Sequence, residues 1–123
     1  MALVDITDDN FEELVLGGDV VLLDCWARWC KGCKDFDPVF EAAATRHPDH
    51  TFGRVDTGSE KELTQKLKVQ HIPTLIVFRE GILLMRQPGQ PPAEALDEIV
   101  DKAAALDMEY VRSELEKESA RNA

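Results

Sequence analysis

The chain has 123 residues, of which 44% are hydrophobic, and this is enough to build the core of a single domain. Its 24 acidic and 14 basic side chains give a formal net charge of −10, which disfavours nucleic acid and anionic membranes as partners. Three cysteines are too few for a secreted disulfide scaffold, and no apolar run is long enough for a transmembrane helix. The N-terminus has neither the basic nor the apolar region of a secretory signal, so a cytoplasmic protein is expected.

Apolar runs and turn residues predict alternating strands and helices. In chain order these are a strand over 3–6, a helix over 8–16, a strand over 20–26, a helix from the 29–33 segment to about residue 46, a strand over 51–56, a helix over 60–67, strands over 74–78 and 82–86, and a helix from residue 93. The predicted fold class is α/β, a mixed sheet of about five strands with four helices on its two faces.

Local signals set the predicted helix ends. Thr7 and Ser59 are N-cap residue types, and each precedes a predicted helix. Pro92 suits the first turn of the last helix, because its missing N–H would have no partner there. Since neither Gly nor Pro occurs between Ala93 and Ala123, one long helix is predicted to the C-terminus.

Two cysteines lie where the second predicted helix begins. Cys30 and Cys33 fall on one face of its first turn, with Cα atoms within reach of a disulfide, on the order of 5.5 Å apart. Cys30 lies at the helix N-terminus, whose free N–H groups and dipole stabilise a thiolate. We therefore expect Cys30 to be the nucleophile, which forms a mixed disulfide, and Cys33 to be the resolving thiol.

A carboxyl side chain follows four aliphatic residues in the predicted central strand. Burial disfavours its ionised form, so the pKa of Asp24 is expected to rise, and such a group suits proton transfer with Cys33. The alternative is that Asp24 lies at a strand end and faces water. Strand alternation places Cys25 on the opposite side, where an inert core thiol is expected.

A structural zinc site is the alternative reading of the cysteine pair. Such a site needs two further ligands. Apart from Cys25, the only remaining cysteine or histidine residues are His47, His50 and His71, which are scattered along the chain. Redox chemistry is therefore expected rather than metal binding.

The chain resembles the thioredoxin family over about residues 3–106. The residues that carry the resemblance agree in order and spacing: Val20 to Asp24, Trp26-Ala27, Trp29-Cys30, Cys33-Lys34, Pro38, Asp56, Ile72-Pro73-Thr74, Phe78, Gly81 and Gly89. The resemblance implies a thioredoxin domain over 1–106, followed by a charged helical extension over 107–123. It also implies a thiol-disulfide oxidoreductase, a protein disulfide reductase and electron carrier that binds no cofactor.

The resemblance further implies a substrate groove beside the cysteines. Pro73 corresponds to a cis-proline that faces the dithiol and exposes the Ile72 backbone to an extended substrate segment. Trp29 and Gly89 are expected to complete the groove, with ordinary packing as the alternative for Trp29. The implied partners are disulfide-containing proteins and a flavin-dependent, NADPH-using thioredoxin reductase, and a monomer is expected.

The segment between the cysteines departs from the family. Lys31 and Gly32 replace the usual Gly-Pro, which loosens the first helical turn and places a cation beside the Cys30 thiolate. We expect these two residues and Trp26 to tune the pair, and a reduction potential less reducing than that of a typical thioredoxin. The change favours an oxidase or isomerase as an alternative function, which the missing export signal opposes.

Two further departures concern the surroundings of the dithiol. Phe52 stands where the family usually has a lysine paired with the buried aspartate. Arg54 has the same parity along its strand, but the sequence does not place its guanidinium, and without a nearby cation the pKa of Asp24 should be higher still. His71 is expected at the groove rim, either solvated or in contact with substrate.

A non-redox adaptor that uses the fold and the acidic tail for binding is a third alternative. The presence of both cysteines, Asp24 and Pro73 argues against it. The tail itself has thin apolar content in Met108, Val111 and Leu115, so it is either a solvated helix or a docking surface.

Overall fold

The computed structural model describes residues 3–122. Its strands are β1 (Leu3–Asp5), β2 (Val20–Trp26), β3 (Thr51–Asp56), β4 (Thr74–Arg79) and β5 (Ile82–Pro88). A π-helix covers Glu12–Leu16, and the α-helices are α1 (Lys31–Arg46), α2 (Lys61–Lys66), α3 (Ala93–Ala105) and α4 (Met108–Asn122). None of the helices in these described residues is long and apolar enough to cross a membrane.

The five strands form one mixed sheet in the order β1-β3-β2-β4-β5. The central strand β2 pairs in parallel with β3 and antiparallel with β4. The edge strands β1 and β5 pair with β3 and β4 respectively, the first in parallel and the second antiparallel. This arrangement confirms the α/β fold class predicted from the sequence.

Alternation along β2 supplies a hydrophobic core on each face of the sheet. Val20 and Leu22 pack with α1 and α3 on one face, while Val21, Leu23 and Cys25 pack on the other face with the segments around the π-helix and α2. Residues 20–25 of this strand are fully buried, which explains its continuous apolar run. Cys25 therefore lies in the core, on the side that its parity predicted.

The helix predicted over 8–16 is wrong for its first half. Thr7 and Asn10 bond reciprocally, since the Thr7 N–H donates to Asn10 Oδ1 at 2.8 Å and the Asn10 N–H donates to Thr7 Oγ1 at 3.2 Å. These side-chain bonds satisfy the backbone in a turn and compete with a helix. The π-helix follows, with the Gly17 N–H donating to the Glu12 carbonyl.

Helix α2 is capped by a distant residue rather than by Ser59. The Leu63 N–H donates to Asp8 Oδ1 at 2.8 Å, and the Asp8 N–H donates to Glu60 Oε1 at 2.9 Å. This reciprocal pair acts like a capping box whose halves lie more than fifty residues apart. A prediction from neighbouring residues had no access to it.

The single helix predicted from residue 93 is broken at Leu106, whose backbone is extended. Asp107 starts a new helix, because its Oδ1 accepts from the N–H groups of Glu109 and Tyr110 at 3.1 and 3.2 Å. The Arg79 side chain caps the C-terminal end of α3, because it donates to the carbonyls of Ala103 and Ala104. Ala123, at the end of the predicted helix, lies outside the described residues.

The Asp8 cap gives a prediction about stability. Asp8→Ala should lower the free energy of unfolding by about 1 kcal/mol, because the N–H of Leu63 loses its acceptor. Urea unfolding followed by circular dichroism measures this change. Asp9→Ala is the matched control, since Asp9 is exposed and caps no helix, and an equal loss in both variants would contradict the assignment.

Candidate active site

Cys30 is the N-cap residue of α1. Its backbone is extended, with φ −100° and ψ 111°, and its sulfur accepts the Cys33 N–H at 3.1 Å. The turn before it is closed by the Cys30 N–H, which donates to the Ala27 carbonyl just beyond β2. The strand end and the helix start therefore place one sulfur atom among the free N–H groups of the first helical turn.

Cys33 lies one turn inside the same helix. The two cysteines form a disulfide, with their Cα atoms 5.3 Å apart, as the spacing predicted. Cys33 is buried, with 3% of its surface exposed, whereas Cys30 is partly open to solvent. The two cysteines thus differ in their access to solvent.

Asp24 is buried in the middle of the sheet, with 1% of its surface exposed. It lines a cavity of about 160 Å³ together with Cys33, Asp37 and Arg54. Within the described residues, its Oδ1 atom has no hydrogen-bond partner. Burial raises the pKa of Asp24 to about 7, against an opposing effect of Arg54, and nearby Asp37 raises it further.

The structure places the Arg54 guanidinium that the sequence left open. Arg54 is the β3 residue opposite Asp24, and it forms ion pairs with Asp37 and, at 3.7 Å, with Glu41 on α1. A cation is therefore near Asp24: Arg54 lowers the pKa of Asp24, although the effect of burial outweighs it. Phe52 is fully buried and packs against Phe40 instead.

The Ile72–Pro73 peptide bond is cis, as the resemblance implied. The Pro73 carbonyl accepts the N–H of Gly89 at 2.8 Å, and Gly89 has a φ of +102°, a conformation that favours glycine. A Cβ atom on Gly32 would lie 3.5 Å from Pro73 Cδ and 2.9 Å from Gln90 Nε2. The loop between the cysteines, the cis-proline and the 89–90 segment therefore meet at one surface.

Known proteins are similar to this chain in sequence and in fold. A sequence model of the thioredoxin family matches residues 2–102. A putative thioredoxin 2 of Streptomyces coelicolor is 42% identical over 117 residues, which cover 95% of this chain and 87% of that protein. The thioredoxin of Staphylococcus haemolyticus is 39% identical, over 83% of this chain and 98% of its own. The chain belongs to the thioredoxin family.

Solved structures agree with this assignment. A mutant thioredoxin from Halobacterium salinarum superposes with a TM-score of 0.78 at 25% identity, over 85% of this chain and 92% of its own. The thioredoxin of Malassezia sympodialis gives a TM-score of 0.76 at 28% identity over the same shares. This thioredoxin-family protein is a thiol-disulfide oxidoreductase, a protein disulfide reductase, as the sequence predicted.

The remaining residues of the thioredoxin-like surface lie around the disulfide. Trp29 is 72% exposed, and its indole covers Gly58 beside the site. Trp26 is half-buried, and its carbonyl accepts the Thr57 N–H and hydroxyl at 2.9 Å, which joins the end of β2 to the start of the next loop. His71 lies exposed on the cis-proline loop, and Ile72 is half-buried.

Lys31 is almost fully exposed, and its Nζ atom lies 3.4 Å from the Asp35 carboxylate. The cation expected beside Cys30 therefore has an acidic neighbour one helical turn away, which opposes its effect on a thiolate. The sequence analysis did not include Asp35 in the site, although its i, i+4 spacing from Lys31 was a signal. A potential less reducing than that of typical thioredoxins stays a prediction.

Sequence reasoning also missed Asp37 and Gln90. Asp37 faces the Asp24 cavity from α1, and Gln90 contacts the loop between the cysteines. Burial raises the pKa of Cys25 to about 12, so this thiol stays protonated and unreactive at neutral pH. Within residues 3–122, no group of three or more His, Cys, Asp or Glu side chains is placed to hold a metal ion.

The raised pKa of Asp24 predicts how stability depends on pH. Between the ordinary value of 3.8 and about 7, the folded state binds a proton that the unfolded state has lost, so the free energy of unfolding falls as pH rises. Asp24→Asn removes this pH-dependent loss. The free energy of unfolding of the variant should therefore exceed that of the wild type by up to ~4 kcal/mol at about pH 8, with a much smaller difference near pH 4.

Urea unfolding across this pH range measures the difference between the two proteins. Asp101→Asn, on the exposed face of α3, is the matched control and should follow the wild type at every pH. An Asp24→Asn curve parallel to that of the wild type would show that the carboxyl titrates normally.

Proposed function

We propose that the protein reduces disulfides in other proteins by cycling Cys30 and Cys33 between dithiol and disulfide. The observation that supports this most directly is the position of the Cys30 sulfur, which caps α1 and accepts the Cys33 N–H. In the reduced protein this N–H and the helix dipole favour the Cys30 thiolate. A partly exposed thiolate beside a buried thiol is suited to a two-step exchange.

The first step forms a mixed disulfide. The Cys30 thiolate attacks one sulfur of the substrate disulfide, a new S–S bond forms, and the other substrate sulfur leaves as a thiolate. The Cys33 thiolate then attacks the Cys30 sulfur and releases the second substrate sulfur. Two electrons pass to the substrate, which becomes a dithiol, while the protein becomes the disulfide seen in the structure.

Asp24 is the proposed proton acceptor for Cys33. Both side chains line the same cavity of about 160 Å³, which has room for water between them. A carboxyl group with a pKa of about 7 can take up and return a proton near neutral pH. Arg54 and Asp37 form an ion pair at the same cavity. The Arg54 guanidinium lowers the pKa of Asp24, and the Asp37 carboxylate raises it.

The substrate segment is proposed to lie across the cis-proline loop. An extended chain would pair with the half-buried Ile72 backbone, with Pro73 and Gly89 forming the floor and Trp29 one wall. Lys31, Gly32 and Trp26 surround the disulfide and are proposed to tune its potential. The loop between the cysteines, the cis-proline loop and the 89–90 segment contact one another, and these contacts hold the groups in place.

The oxidised protein is proposed to be reduced by an NADPH-dependent thioredoxin reductase. The cytoplasm is the proposed compartment, since thiols are kept reduced there and a reductase requires such a supply of electrons. A monomer suffices for the exchange, because the described residues of one chain contain both cysteines, Asp24 and the cis-proline loop.

The nucleophile assignment is tested by alkylation. In the reduced protein, Cys30 should react with iodoacetamide at neutral pH at least about tenfold faster than a free peptide thiol, because the helix start stabilises its thiolate. Mass spectrometry locates the label, and Cys33→Ser isolates the single nucleophile. A rate equal to that of the peptide thiol would contradict the redox assignment.

Insulin reduction, followed as turbidity, separates the candidate activities. A disulfide reductase reduces insulin both with dithiothreitol and with NADPH plus a thioredoxin reductase as the electron source. An isomerase reduces insulin only with dithiothreitol, and an adaptor reduces it with neither. Cys30→Ser is the inactive control.

The role of Asp24 is tested on the second step alone. A thionitrobenzoate group attached to Cys30 is displaced when Cys33 attacks, and its release is visible by absorbance. Asp24→Asn should slow this release by about tenfold or more at neutral pH, and the two rates should converge at strongly alkaline pH, where hydroxide replaces the carboxylate as the base. Asp101→Asn, which removes an exposed carboxylate on α3, is the control, and equal rates in Asp24→Asn and the wild type would refute the base role.

A further inference from the structure

A polar groove with positive charge lies on this protein, whose formal net charge is −10. Its volume is about 560 Å³. One wall is formed by α2 and the residues just after it, through the side chains of Lys61, Thr64, Gln65 and Lys68. Another wall is formed by the segment that follows, at Val69. Within residues 3–122, lysines are the only charged side chains that line it.

The groove adjoins the surface that holds the disulfide. Thr57, one of the lining residues, is the chain neighbour of Gly58, against which the Trp29 indole lies. Gln70, another lining residue, lies in the segment that leads into the cis-proline Pro73. A polypeptide bound across the cis-proline loop can therefore continue into the groove.

Lys68 occupies a backbone conformation that favours glycine. Its φ is +56°, and it follows the last turn of α2, where its N–H donates to the Gln65 carbonyl at 3.1 Å. The next N–H, of Val69, donates to the Thr64 carbonyl at 3.2 Å and closes the helix end. Glycine would adopt this conformation without strain, whereas a lysine at this position strains the local backbone.

The two groove lysines are free to meet a ligand. In the part of the chain that the structure describes, neither ammonium group lies within ion-pair distance of a carboxylate, whereas Lys31, Lys102 and Lys117 each pair with an acid on their own helix. The nearby Glu60 carboxylate is held by the Asp8 N–H and the Ser59 hydroxyl.

Acidic side chains line a different groove of the molecule. A separate surface groove along α3 is lined by four carboxylates, those of Glu94, Asp97, Glu98 and Asp101, with Lys102 as its one cation among the described residues. The two grooves therefore differ in the charge of the side chains that line them, although Glu60 and Glu62 flank Lys61 in the sequence. A local difference of this kind orients an approaching charged partner.

We propose that the groove of Lys61 and Lys68 binds an acidic segment of the protein whose disulfide is being reduced. This inference rests on the proposed reductase function and adds a substrate class, disulfides flanked by Asp and Glu residues. The two ammonium groups attract the carboxylates and hold the segment while Cys30 attacks the disulfide. The exchange itself is unchanged, with two electrons passing from the protein dithiol to the substrate.

The test uses two cyclic peptides, each closed by one disulfide. They are identical except for four residues after the second cysteine, which are Glu in one peptide and Gln in the other. The fully reduced protein is mixed with each peptide, and its oxidation is followed by tryptophan fluorescence. The Glu peptide should react about tenfold faster at low ionic strength, and the ratio should fall towards one in ~0.5 M salt, which screens exposed charges.

Variants connect the preference to the groove. Lys61→Gln with Lys68→Gln should remove it and leave the rate for the Gln peptide unchanged. Lys66→Gln with Lys117→Gln is the matched control, because it removes two positive charges outside the groove and should keep the preference. Lys68→Gly should reduce the preference about threefold while raising the urea midpoint, so a loss of function would not reflect a loss of folding.

Three results would overturn the inference. Equal rates of the wild type with both peptides would show that the groove does not select acid, and equal losses in the two double variants would show that only net charge matters. Both results leave the reductase function standing. No reduction of either peptide by the wild type would overturn the proposed function itself and the groove with it.

Discussion

The Cys33 N–H donates to the Cys30 sulfur at 3.1 Å, so the atom that we propose as the nucleophile is also the cap of α1. A helix start has free N–H groups that need an acceptor, and here a sulfur supplies it. The packing of Phe36 and Phe40 against the sheet fixes the helix relative to the end of β2. The core of the fold therefore holds the proposed nucleophile at a helix start, where free N–H groups and the helix dipole favour a thiolate.

A second constraint is the buried Asp24 carboxyl group, which lines the same cavity as Cys33. Asp24 occupies a fully buried position of β2, where burial raises its pKa to about 7, and Arg54 opposes this effect from the neighbouring strand. The same burial that suits the carboxyl to the proposed proton transfer is expected to lower the stability of the fold at higher pH. The proposed function and the stability of the fold thus make opposite demands on this side chain.

The distribution of charge is as informative as its total. A net charge of −10 describes the whole chain, but Lys61 and Lys68 border the reactive surface while the carboxylates of α3 line a separate groove. Long-range attraction follows the local field at the site of encounter rather than the sum over the molecule. The net charge alone therefore does not indicate the lysine groove for which we propose an acidic partner segment.

Patterns between neighbouring residues were sufficient to predict β2, α1, the cysteine pair and the burial of Asp24, because period, capping and spacing are local properties of a sequence. The position of Asp8 at the start of α2, the side of the sheet reached by the Arg54 guanidinium, and the groove that joins α2 to the cis-proline loop were not predictable in this way. Each depends on segments that are far apart along the chain and meet only when the sheet is assembled, so the tertiary structure alone decided them.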